Sequence, residues 1–151
     1  MIRTIPKAAL YLGLTGLLPF FWGVLTLFNE DFKLWTITMI GPRFVGPFVQ
    51  LFYGSIILSF MSGVLWGFAT KQTGQLAAIG YSLSVLPALW VFFTMDGTAI
   101  ESSTNLIIGF LGLLFLDWYF WKNGLTPVWW MKLRLLLTGI VVLFLGVGVF
   151  L

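Results

Sequence analysis

The sequence predicts an all-α polytopic membrane protein, a bundle of five transmembrane helices. Hydrophobic residues make up 60% of the 151 residues and charged residues 9%, whereas soluble domains average about 45–50% apolar and about 25% charged. A hydrocarbon core about 30 Å thick takes about 20 helical residues to cross. The chain forms one predicted domain, 1–151, whose spans are residues 8–28, 44–69, 75–95, 106–121 and 131–150.

The first apolar run is long enough to cross a membrane, and the apolar segment after it is not. The first apolar run follows Lys7 and ends before Asn29, and it is too long for the hydrophobic region of a secretory signal. It also lacks a small-residue cleavage site, so we expect it to be retained as a span. Residues 32–40 are apolar but far too short to cross, and we expect them to lie in the outer interface with Trp35 as an anchor.

Polar and helix-breaking residues separate the other spans. Pro42 breaks the chain before the second span, and polar residues 70–74 follow that span. A polar loop at 96–105 precedes the fourth span, which can be extended backward to Ile100. Pro127 marks a turn before the fifth span, so short loops connect all the predicted helices.

Lysine and arginine residues predict which side of the membrane each end occupies, because cytoplasmic loops carry an excess of them. The side that includes the N-terminus carries six, and the other side carries two, Lys33 and Arg43. We therefore place the N-terminus in the cytoplasm and the C-terminus outside. The six are Arg3, Lys7, Lys71, Lys122, Lys132 and Arg134. An aromatic cluster at the same inner ends supports this orientation: Trp66, Trp118, Tyr119, Trp121, Trp129 and Trp130.

Small residues at four-residue intervals predict where the helices pack. Helices in lipid associate chiefly through close packing at small residues, so we predict that Gly63 lies against another helix rather than lipid. A buried serine hydroxyl can bond a carbonyl one turn back, which favours helix contacts over the alternative of a polar path. The ribbons are Ser55, Ser59, Gly63 and Gly67 in the second span, and Gly80, Ser84 and Ala88 in the third.

Two prolines lie inside predicted spans. Pro19 in the first span and Pro87 in the third each remove a backbone hydrogen bond, and each predicts a kink in its helix. Proline in a membrane helix is ordinarily tolerated for packing reasons, so we expect no ligand site at either kink.

Asp117 is the acid set inside an apolar run, and a buried ionisable residue in a membrane helix is a functional hypothesis. It lies five residues before Lys122, about 7–8 Å deep. Arg134 lies at a similar depth on the next span, so we predict a buried ion pair between the two. Lys132 lies about 200° around the helix from Arg134, so its side chain would reach the lipid head groups instead. Two alternatives are a polar or lipid-binding role for the pair, and a lone Asp117 in contact with water.

Several strings make the chain resemble a domain-of-unknown-function family of small multi-pass proteobacterial inner-membrane proteins with a mitochondrial transmembrane relative in animals. The resemblance implies topology and a location in the bacterial inner membrane, and the family has no assigned activity. Met61, Ser62 and Leu65 depart from the family pattern. The strings are LGLTGLLPF at 12–20, YGSIILSF at 53–60, GVLWG at 63–67, Tyr81, Ser82 and Pro87, and Asp117 followed by Gly124, Pro127, Trp130, Leu133, Arg134, Leu137 and Thr138.

Composition narrows the possible functions. Without histidine or cysteine the chain has no imidazole base, thiolate nucleophile, disulfide or imidazole or thiolate metal ligand. We therefore expect no catalytic residues, no cofactor and no metal, and rank an intramembrane enzyme last. We expect an accessory, scaffold or assembly subunit of a larger membrane complex, and the alternative is a small oligomeric transporter or channel. The expected partners are membrane lipids and another membrane protein or a second copy, not nucleic acid.

Overall fold

The structure is a computed structural model that describes residues 4–151. Within these residues it contains α-helices and one short 3-10 turn and no strand, which confirms the all-α class. Five helical segments are long and apolar enough to cross a membrane, as the sequence predicts. They are Lys7–Phe28, Phe48–Ala69, Gly74–Thr94, Ala99–Lys122 and Trp130–Phe150.

Two of the five segments are interrupted, and both interruptions lie beside the prolines named from the sequence. The first consists of α1 (Lys7–Thr15) and α2 (Leu18–Phe28), with Pro19 in the first turn of α2. The third consists of α5 (Gly74–Ser84) and α6 (Leu86–Thr94), with Pro87 in the first turn of α6. Proline has no backbone N–H to donate to the preceding turn, so the helical ladder is interrupted at each position.

The segment after the first span is a helix, α3 (Glu30–Met39). The Asn29 side chain caps it by accepting a hydrogen bond of 2.9 Å from the Phe32 N–H, and two acids in its first turn suit the positive end of the helix dipole. Trp22 of α2 packs on Phe32 with ring centroids 4.7 Å apart. The short segment therefore folds back against the end of the first span.

The second and fourth long helices begin at residues other than those predicted. The second apolar run starts at residue 44, but α4 spans Phe48–Ala69, because Pro47 can stand at the start of a helix and not within it. Helix α7 spans Ala99–Lys122 and so begins before the predicted residue 106. Thr98 and Glu101 form a capping box there, which fixes the start of the helix.

Helix α4 lies at the centre of the bundle and packs against α2, α5, α6 and α7. Helix α7 forms a long hairpin with α8 (Trp130–Phe150), and α1 packs on α8. Phe20 of α2 is 1% exposed and contacts both Tyr53 and Phe110 edge to face. The inward face of α4 consists of Gly54, Leu58, Met61, Leu65 and Ala69.

The small-residue ribbon of the second span faces outward, so the prediction that Gly63 packs on another helix of this chain is wrong. A methyl group added at Gly63 or Gly67 would meet nothing within 4 Å among residues 4–151. Ser59 is also exposed and Ser55 is half-buried. The ribbon residues lie one or two positions after members of the buried row that begins at Gly54, which is about 100° to 200° around the helix, and the large residues of that row fill the core instead.

The small residues of the third span do approach α4. A methyl group added at Gly80 would lie 3.0 Å from the Ala69 Cβ, so the two helices are in close contact there. Ser84 is fully buried and its hydroxyl donates to the Tyr81 carbonyl at 2.7 Å. The Ala88 N–H donates to the Ser62 Oγ at 2.9 Å. This face of α5 and α6 therefore contacts the central helix.

Candidate functional site

The structure brings together the two charged residues that the sequence singled out. The Arg134 Nε donates to the Asp117 Oδ2 at 2.7 Å, which joins α8 to α7. Asp117 is 0% exposed and Arg134 is 6% exposed. The pair is therefore buried inside the bundle, and each charge is compensated by the other.

A third residue, Trp130, completes this group and was not predicted from the sequence. Its indole Nε1 donates to the Asp117 Oδ1 at 2.9 Å, so each carboxylate oxygen accepts a hydrogen bond. Trp130 precedes Arg134 by four residues, and residues at this spacing share a helix face. That spacing is the signal that could have found it. We name Asp117, Trp130 and Arg134 the polar clasp.

The clasp lies near one end of the bundle. Arg134 is four residues inside α8, which places it about 6 Å from the start of the helix. Phe68, near the end of α4, packs edge to face on Trp130 of the clasp at 5.1 Å, and the Lys71 Nζ just after α4 donates to the Leu125 carbonyl just after α7 at 2.8 Å. The loops after α4 and after α7 therefore lie at the same end of the molecule.

The clasp leaves donors of Arg134 unused. A guanidinium has five N–H donors, and the buried Nη2 has no hydrogen-bond partner among residues 4–151. The Thr138 Oγ1, one turn further along α8, is also buried without a partner in this part of the chain. A buried polar group without a partner costs about 1–3 kcal/mol, and a charged one costs more.

Both residues line a cavity of about 280 Å³ beside α1, which we name the α1 cavity. Most of its wall is apolar, and Tyr53 and Phe110 contribute rings to it. Helix α1 has no buried residue of its own, but a methyl group added at Gly13 would lie 2.9 Å from the Leu137 Cδ1. Helix α1 thus touches α8 near Gly13 and covers the cavity loosely.

A second polar cluster lies towards the opposite end of α4, and the sequence reasoning missed it. Gln50 is 1% exposed, and its Nε2 donates to the carbonyls of Phe20 at 3.1 Å and Phe144 at 3.4 Å. The Thr26 Oγ1 accepts from the Gly46 N–H at 2.8 Å. An amide inside the apolar run of the second span is the signal that points to Gln50. These groups bind one another and the backbone, so they join α2, α4 and α8.

Among residues 4–151, no three histidine, cysteine, aspartate or glutamate side chains come together as a metal site. The remaining polar side chains of the spanning helices mostly bind carbonyls of their own helices, as Ser55 and Ser59 do at 2.7 and 3.0 Å. The candidate ligand-binding groups are therefore the two donors at the α1 cavity that have no partner in this part of the chain, Arg134 Nη2 and Thr138 Oγ1.

Comparisons with known proteins show the family of the chain and a relative among curated proteins. A family model described as a protein of unknown function, DUF3429, matches residues 5–150. Transmembrane protein 69 of Xenopus tropicalis is 34% identical over 145 residues, which cover 93% of this chain and 53% of that protein. The chain therefore spans about half the length of that relative. No solved structure matches the chain. The resemblance drawn from the sequence, to a family of unknown function with an animal transmembrane relative, is confirmed.

Proposed function

The chain belongs to the DUF3429 family, and from this premise we propose that it acts as a non-catalytic subunit of a larger membrane complex, as an accessory, scaffold or assembly component. The observation that supports the proposal is the outward ribbon of α4, which consists of Ser55, Ser59, Gly63 and Gly67. Membrane helices associate where small residues allow close approach. A small-residue row directed away from its own bundle is a suitable surface for a helix of another protein.

The chemistry of the ribbon suits an apolar contact. The hydroxyls of Ser55 and Ser59 donate to carbonyls of their own helix, so they need no water or polar partner. Ile56 and Phe60 are more than half exposed beside the ribbon, at 63% and 64%. A neighbouring helix can therefore enter a shallow row between large side chains and gain van der Waals contact.

The alternative, a small oligomeric transporter or channel, would use the same ribbon for a second copy of this chain. Five helices are too few to enclose a wide path, so this function needs an oligomer. The absence of histidine and cysteine from the sequence supports the non-catalytic role. The bacterial inner membrane is the location that we propose for the complex, and nucleic acid is not among the proposed partners.

Two glycine variants test the proposal. Gly63→Leu fills the ribbon, and Gly139→Leu adds the same side chain at an exposed glycine of α8 where nothing lies within 4 Å in the described residues. We expect the protein, purified from its native membrane in mild detergent, to carry a stoichiometric second protein, identified by mass spectrometry. Gly63→Leu should lose at least about nine-tenths of it, which corresponds to about 1.4 kcal/mol, and Gly139→Leu should retain it.

Both variants should unfold within a few degrees of the unsubstituted protein, because a Cβ added at either glycine meets no group within 4 Å in the described chain and both positions are exposed. A homo-oligomer without a second protein would contradict the subunit proposal and favour the transporter or channel. Retention of the second protein by Gly63→Leu would contradict the assignment of the ribbon as the contact surface.

A further inference from the structure

We propose that the α1 cavity binds the polar end of a neutral, mainly hydrocarbon or aromatic molecule through one carbonyl-type oxygen. The cavity lies between α1, α4 and α8, and none of the four ribbon residues of α4 lines it, although Phe60 borders both surfaces. The inference therefore does not rest on the proposed subunit role. It rests on two buried donors, the local charge balance and the shape of the cavity.

The donors decide what the ligand presents. The Arg134 guanidinium donates only, and its buried Nη2 has no partner among residues 4–151. The Thr138 hydroxyl is 2% exposed, also lacks a partner in that part of the chain, and lines the same cavity. Arg134 and Thr138 are four residues apart and so lie on one face of α8. A ligand that satisfies both must bring an acceptor oxygen to this face.

The charge balance decides that the ligand is neutral. Asp117 already compensates the Arg134 charge through the contact of 2.7 Å. An anionic ligand would leave a net negative charge in a buried, low-dielectric site, which is unfavourable. A carbonyl oxygen accepts hydrogen bonds from Arg134 Nη2 or Thr138 without adding a charge. Carboxylates and phosphates are therefore excluded as the preferred ligand group.

The shape of the cavity decides how much of the ligand enters. Its volume of about 280 Å³ is close to the lower limit of small-molecule pockets, about 300 Å³. Leu12 and Phe60 line it and are 73% and 64% exposed, so it opens to the outside of the bundle, which is lipid in a membrane. The polar end of the ligand fits inside, and its hydrocarbon chain extends into the bilayer.

Two membrane components carry this chemistry. One is the ester carbonyl of a diacyl lipid, and the other is a ring carbonyl of an alkylated quinone. Both present an uncharged oxygen on an apolar body, as the lining of the cavity requires. The two sources can be distinguished because diether lipids lack the ester carbonyl and alkylbenzenes lack the quinone carbonyls.

The experiment measures binding to the whole chain in nanodiscs of a diether phosphatidylcholine. Decylbenzoquinone, decylbenzene and decanoate are titrated in turn, and bound molecules are counted by native mass spectrometry. In a second arm, protein from an equal mixture of diester and diether phosphatidylcholine is delipidated and its retained lipid is identified. We expect one equivalent of decylbenzoquinone or of diester lipid to bind in preference to its analogue without a carbonyl.

Two threonine variants connect the binding to the cavity. Thr138→Val keeps the size of the side chain and removes the donor, and it should weaken binding of the preferred probe about threefold to tenfold, the effect of one hydrogen bond. Thr104→Val is the control, because Thr104 is exposed and its hydroxyl donates to its own helix at 2.8 Å. Thr138→Val should fold normally, since it removes a buried polar atom that has no partner in the described chain.

Three outcomes would overturn the inference. One is equal binding of the probes with and without a carbonyl in both arms. Another is preferential binding of decanoate, which would show that the site takes an anion. The third is a Thr138→Val variant whose binding matches that of Thr104→Val, because the cavity would then not hold the carbonyl.

Discussion

At the scale of single residues, Asp117 and Arg134 stabilise the bundle only as a pair. Each is almost completely buried, and they meet at 2.7 Å between α7 and α8. Removing one partner from a buried ion pair leaves an uncompensated charge, which costs about 3–5 kcal/mol, whereas removing both removes the charge as well. The hairpin should therefore be stable with both charges or with neither, and it should be destabilised when only one of them is removed.

A double-mutant cycle tests this dependence. We expect Asp117→Asn and Arg134→Gln each to lower the free energy of unfolding by about 3–5 kcal/mol, and the double variant to cost less than their sum. Stability in detergent, measured by thermal or denaturant unfolding, gives the coupling. The control cycle uses Glu30 and Lys33, an exposed pair at 3.4 Å that should show little or no coupling. Strictly additive losses at Asp117 and Arg134 would show that the contact contributes nothing.

The sequence predicted the charged members of the clasp and not the uncharged ones. Charges inside apolar runs are rare, so two opposite charges at matched depth on consecutive spans are expected to form a pair. From the sequence, Trp130 is predicted only to belong to the aromatic belt, because an indole near the end of a span is common there. Gln50 and Thr138 gave a weaker signal, since amides and hydroxyls cost less to bury than charges. The partners of Gln50 lie on other helices, and Thr138 has no partner among residues 4–151, so spacing along the chain reveals neither environment.

At the scale of helices, α4 shows why small-residue spacing alone could not predict packing. The ribbon at Gly63 recurs every four residues, and the buried row at Leu58 recurs every three or four, so both follow the period of a helix face. The spacing alone allows either row to face the core, although the two rows point to different sides of the helix. The large side chains of the buried row fill the centre of this bundle, so the ribbon faces outward. A row of small residues indicates that another helix can pack closely there, but it does not indicate whether that helix belongs to the same chain or to another molecule.

Ser62 explains how α6 tolerates its proline. The helix is interrupted before Pro87, and the Ala88 N–H donates across to the Ser62 hydroxyl of α4 at 2.9 Å. In lipid, a freed backbone group needs such a partner because water is not available. The kink and the serine on the neighbouring helix are therefore one structural unit. The sequence predicted the kink, and the structure supplies the residue that satisfies it.

Ser62→Ala should therefore lower the free energy of unfolding by about 1–3 kcal/mol, the cost of leaving a buried N–H without a partner. Ser59→Ala is the matched control on the same helix, because Ser59 is exposed and its hydroxyl donates within α4. Its effect should stay within about 0.5 kcal/mol. Thermal unfolding in one detergent measures both variants. Equal effects of the two substitutions would mean that the hydrogen bond to Ala88 is not a significant stabilising contact.

At the scale of the whole molecule, contacts between distant segments agree with five alternating spans. Lys71 and Leu125 join the loops after α4 and after α7 at one end of the bundle. The Trp90 Nε1 donates to the Asn105 carbonyl at 2.7 Å, near the loop between α6 and α7. Successive loops therefore lie at opposite ends, as helices that cross a membrane in turn require. The lysine and arginine count predicts which end is cytoplasmic, six against two.

The natural absence of cysteine makes this orientation directly measurable. Asn123→Cys places one thiol in the exposed loop after α7, and Asp96→Cys places one in the exposed loop before α7. With the N-terminus inside, a membrane-impermeant maleimide added to intact cells should label Asp96→Cys. It should label Asn123→Cys only after the membrane is opened. The reverse pattern would invert the topology, and labelling of both sites in intact cells would contradict a span between them. Because α7 alone separates the two sites, the result depends on one crossing and on the side that its basic end faces.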